Sequence, residues 1–246
     1  FEADTFISNI NPKRTLEIAG SEKFRKAYVN RIASIPDTCS AFSLYIVLKP
    51  NCFPYLNKNY YHFKDASRIW NAQEYTQDSW PESYMVSMGV NKNTEQYGDT
   101  LTAMTYMRYD EVATWEKTFN TVVRKNERGQ TYEAFKKEKT EIFIDELEKK
   151  FPDIRECISA VYTSTPLSYR DYIGNHRGCM YGYEKDIQNP LRSFISPRTK
   201  INNLFFTGQS LNMHGILGVT ISAVITCSEI LGGEYLIEKI QEATST

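Results

Sequence analysis

The stretch Asn203–Gly232, NLFFTGQSLNMHGILGVTISAVITCSEILG, limits what this chain can fold into more than any other. Leu204, Phe205 and Phe206 form a short apolar run of the kind that makes a buried strand. Gly208 ends the run where the backbone can turn without a side chain in the way. After a loop through His214 and Gly215, Gly218 opens an apolar segment from Val219 to Leu231 that is long enough for about three helical turns. Gly232 and Gly233 then stop it. A strand, a glycine turn and a glycine-opened helix leave backbone N–H groups unpaired at the helix start, where an anion or a polarised carbonyl can sit. Such a helix end favours negative charge by about 0.3–1 kcal/mol.

The rest of the chain divides by grammar. Residues 3–8 read as a strand ending at Asn9-Ile10-Asn11-Pro12, and Pro12 suits the first turn of a short helix. Phe24, Ala27, Tyr28 and Ile32 recur at helical spacing, so 21–33 is predicted helix, broken by Pro36. From 39 to 109 the pattern is strands. Phe42, Leu44, Ile46 and Leu48 alternate with Ala41, Ser43, Tyr45 and Val47, and both sets are apolar enough to predict cover on both faces. Further strands are predicted at 59–63, 84–90 and 100–109, with no long helix between them, which indicates an antiparallel or mixed sheet. Helices are predicted at 110–119 and 131–151, the second with Phe135, Ile142, Phe143, Leu147 and Phe151 on one stripe and a charged opposite face. A strand at 158–163 and a loop-rich 174–202 lead to the C-terminal strand and helix.

Composition excludes several function classes. A formal net charge of -1 gives no electrostatic footprint for nucleic acid. No apolar run approaches the ~20 residues of a membrane span. The 17 tyrosines and 13 phenylalanines supply aromatic surface for a core or an apolar ligand. Cys39, Cys52, Cys157, Cys179 and Cys227 are dispersed with no C-x-x-C pair, which predicts free thiols in a reducing, cytoplasmic setting and no zinc site. None of His62, His176 and His214 pairs with another at metal-ligand spacing, so no metal is expected.

The same C-terminal stretch resembles the flavin-contacting segment of the FAD-dependent phytoene desaturase, carotenoid isomerase and retinol saturase group, related to the amine oxidases. The likeness extends through Ile195–Ile201, Ser164–Tyr172, Gly178–Gly182 and the opening Ala3–Pro12, and Gln209 and His214 look closest to the retinol-saturase branch. The resemblance implies an α+β (α/β) fold with three parts. Residues 1–20 would be a residual piece of an FAD-binding domain, and 21–165 a substrate-binding domain of largely antiparallel, mixed sheet with helices. Residues 166–246 would return to the FAD domain as its strand-helix piece. It further implies hydride exchange between FAD and a C–C bond of an apolar polyene, retinoid or carotenoid, with NAD(P) as a conceivable electron partner.

By that resemblance Gly208 and Gln209 would lie beside the ribityl–phosphate part of FAD. The N–H groups of Ile216, Leu217 and Gly218, turned by Gly215, would meet the flavin's pyrimidine edge. His214 would be a general acid delivering a proton after hydride transfer, for which an ordinary pKa of about 6.5 is suited. Tyr169, Tyr172, Tyr45 and Tyr106 are the expected substrate-side residues. The chain departs from the pattern in one respect: it carries no G-x-G-x-x-G, the turn that holds a dinucleotide pyrophosphate on a helix end. With a start at Phe1 and no initiating Met, it reads as a fragment, inactive alone, whose partner is the preceding half of the same protein. A lipid-soluble substrate adds peripheral membrane contact to the expectations. An amine-oxidase-like or porphyrinogen-oxidase-like flavoenzyme, and a cofactor-free binding domain, are the competing readings.

Overall fold

The computed structural model of the chain describes residues 2–91 and 95–245, so Phe1 lies outside the described residues while the strand expected at 3–8 falls within them. The strands are β1 (Phe6–Ser8), β2 (Ser40–Leu48), β3 (Tyr60–Phe63), β4 (Ser83–Val90), β5 (Gly98–Met107), β6 (Ile158–Ser164) and β7 (Leu204–Phe206). The α-helices are α1 (Pro12–Ala19), α2 (Lys26–Ser34), α3 (Gln130–Lys150), α4 (Ile154–Cys157) and α5 (Pro166–Ile173). They continue with α6 (Pro190–Ser193), α7 (Gly215–Leu231) and α8 (Gly233–Thr244). Two compact units result, one of Phe1–Thr38 with Ile173–Thr246 and one of Cys39–Tyr172. The sequence reading had drawn its divisions at 20/21 and 165/166.

The Cys39–Tyr172 unit is an antiparallel five-stranded sheet in the order β3-β4-β5-β2-β6. Alternation builds it: Phe42, Leu44, Ile46 and Leu48 of β2 are buried on the face that also presents Val86, Leu101, Ala103 and Met107. Phe143, Ile144 and Leu147 of α3 join the same core, and the Trp80 indole meets Phe42 and Phe143 edge-on. Cover on both faces of β2 extends only to Ala41 and Ser43; Tyr45 and Val47 are exposed. Lys139 is the exception on α3. Its ammonium is buried 2.8 Å from Glu111 and 4.4 Å above the Trp80 ring, so a charge at a helical core position is paired and does not face water.

Two helix predictions are corrected. Residues 110–119 form a 3-10 segment, Tyr109–Trp115, and 21–33 splits into a 3-10 turn, Ser21–Lys23, followed by α2. Phe24 is the reason for the split, since it turns extended at φ -110 and ψ 156 to enter the core of its own unit. Helical spacing over a short span fits a 3-10 turn equally well. A third correction concerns cysteine. Cys52 and Cys157 form a disulfide across a separation of 105 residues, while Cys39, Cys179 and Cys227 form none. The expectation of free thiols throughout fails, and with it the ground for placing the chain in a reducing compartment.

The Phe1–Thr38 with Ile173–Thr246 unit is held by pairing between the ends of the chain. β1 runs parallel to β7, with Phe6 opposite Leu204 and Ser8 opposite Phe206. The ladder is extended by Phe6 N–H to Asn203 O at 2.7 Å and by Thr207 N–H to Ser8 O at 2.9 Å. Leu16, Phe24, Ile32, Ile35, Tyr183, Ile195, Phe206 and Leu211 form its core. Among the described residues no helix is long and apolar enough to cross a membrane.

Candidate functional site

The strand, turn and helix expected after Asn203 exist in that order. β7 ends at Phe206, and Gly208 follows with φ +94. That backbone conformation requires glycine there, and a Cβ would also stand 2.1 Å from the Asn9 side-chain oxygen, which would have to turn aside. Gln209 donates its amide to Met180 O at 3.0 Å. The helix begins three residues earlier than the sequence indicated, at Gly215, with His214 as its N-cap and no side-chain hydrogen bond closing the end. By helix geometry the free N–H groups are then those of Gly215, Ile216 and Leu217, while the Gly218 N–H is the first that the helix can use internally.

Small residues seat α7 on β7. Gly218, Ser222 and Thr226, spaced four apart, are its buried residues. A Cβ at Gly218 would lie 2.3 Å from Met213 O, and the Thr226 hydroxyl stands 2.9 Å from Phe206 O and 2.8 Å from Ser222 O. Gly218 is therefore explained by packing. Gly215, at φ +78, has nothing within 4 Å of where a Cβ would be, and Ile216 beside it is 88% exposed. His214 is exposed at this end, its ring lying against that of Tyr181 with centroids 4.3 Å apart. Beneath the turn lies a cavity of about 290 Å³ lined by Asn9, Asn11, Asn175, Thr207, Gln209 and Ser210 together with three apolar side chains. Cys179, elsewhere in the same unit, is held near Asp37, and burial pushes its thiol up to about 12.

The four tyrosines expected on the substrate side all belong to the other unit. Tyr45 and Tyr169 come together: the Tyr169 hydroxyl is 3.1 Å from Ser43 Oγ, the Tyr45 hydroxyl 3.4 Å from Ser164 Oγ, and burial raises the Tyr169 hydroxyl above its ordinary value. Tyr106 alternates onto the same face of the sheet, opposite Ala41, and burial raises its hydroxyl too. Tyr172 does not join them. It is exposed on α5, and its hydroxyl accepts from Val122 N–H at 2.9 Å. The registers continue this second face as two cross-strand rows. Tyr61, Met85, Met104, Ser43 and Ser164 form one, and Ser87, Thr102, Tyr45 and Tyr162 the other. Neither row carries a formal charge at pH 7. Among the described residues no group of three or more His, Cys, Asp or Glu side chains could hold a metal ion.

No protein-family model matches the chain. All-trans-retinol 13,14-reductase of Rattus norvegicus is 30% identical over 110 residues, which are 44% of this chain and 18% of that protein. The Homo sapiens protein of the same name gives the same identity and coverage, and that of Danio rerio is 26% identical over 135 residues, 54% of this chain and 21% of that one. Over these stretches the chain is similar in sequence to the retinol reductases. The matched stretch spans about a fifth of the length of these relatives. Among solved structures, an oxidoreductase from Methanosarcina mazei aligns with 94% of this chain and 43% of its own, at a TM-score of 0.43 and 11% identity.

Several residues placed at these surfaces were not singled out from sequence. Asn9, Asn11 and Asn175 reach one cavity from segments more than 160 positions apart, and nothing in local spacing announces that meeting. Ser43 and Tyr162 could have been found by extending the strand alternation across the pairing, once β6 was known to flank β2.

Proposed function

We propose that this chain is part of a flavin-dependent oxidoreductase that saturates, desaturates or isomerises C–C double bonds of an apolar polyene or retinoid. The sequence match to enzymes named as retinol reductases carries the reading. The uncapped start of α7 supports it. Gly215, Ile216 and Leu217, all exposed, offer backbone N–H groups at the positive end of a 17-residue helix. FAD, when bound, would supply hydride transfer and the electron sink. The chain's own contribution at that edge is a set of fixed donors, which stabilise negative charge on a reduced ring without reorganising.

The fit covers one part of the cofactor. With no G-x-G-x-x-G, a pyrophosphate cradle must come from residues other than these, which is the role proposed for a preceding half of the protein. Ile7, Ile216, Leu217, Leu231 and Ile237, all exposed in the unit that pairs the chain ends, offer that half an apolar surface to cover. His214 is retained as the proton donor of the proposal, since it is the N-cap residue of the same helix end and its ring is exposed against Tyr181. For the substrate, the uncharged face bearing Tyr45, Tyr106, Tyr169, Met85 and Met104 suits a polyene better than a charged amine or a porphyrinogen. Peripheral contact with an anionic bilayer is supported by Val122 and Val123. They are exposed in a turn closed by Thr121 N–H to Arg124 O at 3.1 Å and followed by Lys125.

The deciding measurement is the visible absorbance spectrum of the 246-residue chain and of the complete gene product, each purified. Flavin bands in the complete product and none in the shorter chain are expected. Retinoids and polyenes should then reoxidise the reduced flavin, whereas amines should not. A complete product that is colourless, and whose thermal stability FAD leaves unchanged, would return the chain to the class of cofactor-free binding domains.

A further inference from the structure

Asn11 is the N-cap of α1, and its side-chain oxygen is fully employed. It accepts from Lys13 N–H at 2.9 Å and from the Tyr183 hydroxyl at 2.9 Å. The amide nitrogen on the same side chain has no protein acceptor, although the residue is only 4% exposed. For the fold this group is a cost with no return. Aspartate caps a helix as well as asparagine does and would accept the same two hydrogen bonds without burying an unpaired N–H₂. Buried polar groups are paired in the great majority of cases, so an exception points to a partner outside the protein.

Asn11 lines the cavity of about 290 Å³ described above, whose walls lie wholly within one compact unit. Two of the cavity's other amides have committed their nitrogens: Asn175 donates to Cys179 O at 2.7 Å and Gln209 to Met180 O at 3.0 Å, while the third, Asn9, is exposed. No lysine, arginine or histidine lines it, so it lacks the cations that a buried phosphate would demand. What it offers is one buried amide donor with no protein partner, among other amide and hydroxyl groups.

We propose that this cavity is a ligand site in which the Asn11 side-chain amide donates a hydrogen bond to an uncharged oxygen acceptor, a hydroxyl or a carbonyl, of the bound cofactor. This rests on the flavin reading, and it assigns to Asn11 a binding role beyond its cap. It is an interaction with the ligand's neutral oxygens and not with its phosphates.

The test uses the complete gene product, stripped of flavin and titrated with FAD, with Asn11→Asp and Asn11→Ser beside the wild type. Both substitutions keep the helix cap. Asn11→Ser withdraws the amide and leaves a shorter hydroxyl that no longer reaches the same point, and Asn11→Asp replaces the donor with a second acceptor. FAD affinity should fall roughly three- to tenfold for Asn11→Ser and more than about tenfold for Asn11→Asp, followed by the quenching of flavin fluorescence. The melting temperature of flavin-free Asn11→Ser should stay level, because the cap is kept and an unsatisfied amide is removed, whereas Asn11→Asp buries a carboxylate oxygen without a donor and should melt lower. If wild type binds FAD and both variants bind it within about twofold, the amide serves only cavity water, and this inference alone is overturned. If wild type binds no FAD, the flavin reading fails and takes the inference with it.

Discussion

At the scale of single residues, glycine is used here for two opposite reasons, and substitution separates them. In an ordinary helical position, exchanging glycine for alanine gains up to about 1 kcal/mol. Gly233 starts α8 with only Ser228 Cβ near, at 4.0 Å, so Gly233→Ala should stabilise by a few tenths to about 1 kcal/mol. Gly218 sits within α7, where the same gain is available, but a Cβ there would be 2.3 Å from Met213 O and 2.4 Å from Met213 C. Those are backbone atoms that cannot rotate away. Overpacking of about 1–3 kcal/mol should win, and Gly218→Ala should destabilise. Urea unfolding of the two variants gives opposite shifts in midpoint if α7 is seated as described. Equal shifts would mean that Gly218 is not a packing residue, and its place at a ligand would be reopened.

At the scale of elements, what was legible depended on how local the determining interaction is. Strands β2 to β6 could be read because inward and outward side chains alternate, and alternation survives any tertiary context that keeps one face buried. The 3-10 segments at Ser21–Lys23 and Tyr109–Trp115 were misread because three or four apolar residues cannot separate a 3.0 from a 3.6 period. The pairing of β1 with β7 joins residues about 200 apart, and Cys52 with Cys157 joins residues 105 apart. Such pairings leave no signature in spacing, and an odd, scattered cysteine count argued the wrong way. The disulfide links the segment after β2 to the end of α4 and so closes most of the sheet into one covalent loop. A loop of that size restricts the unfolded chain by an entropy equivalent to about 4–5 kcal/mol in the chain-entropy model. Reduction, or the pair Cys52→Ala with Cys157→Ala, should therefore lower the unfolding free energy by about 2–5 kcal/mol. An unchanged urea midpoint in the presence of reductant would show that the bridge contributes nothing to the folded state.

At the scale of the whole molecule, each of the two units leaves one surface that its own interior does not explain. In the Cys39–Tyr172 unit the uncharged tyrosine and methionine face of the sheet is a candidate lining for an apolar substrate. In the other unit, α7 buries small residues against β7 and turns its large ones outward. Ile216 and Leu217 are exposed at its start and Leu231 at its end, with Tyr235 and Ile237 of α8 also exposed. An amphipathic helix on a finished surface does the reverse. Contiguous apolar patches beyond about 300–600 Å² are uncommon on monomeric proteins and mark interfaces. If a preceding half of the protein covers this surface, the 246-residue chain alone should bind a hydrophobic dye such as ANS and self-associate at micromolar concentration. The complete gene product should do neither. Charged substitutions at two outward positions, Ile216→Glu with Leu217→Lys, then discriminate further. They should keep the short chain monomeric, since neither side chain supports its core, and they should weaken folding of the complete product, where the same positions would be interior. A short chain that is monomeric and dye-negative without substitution would place these side chains at an ordinary solvent surface, and the covering half would have to dock elsewhere.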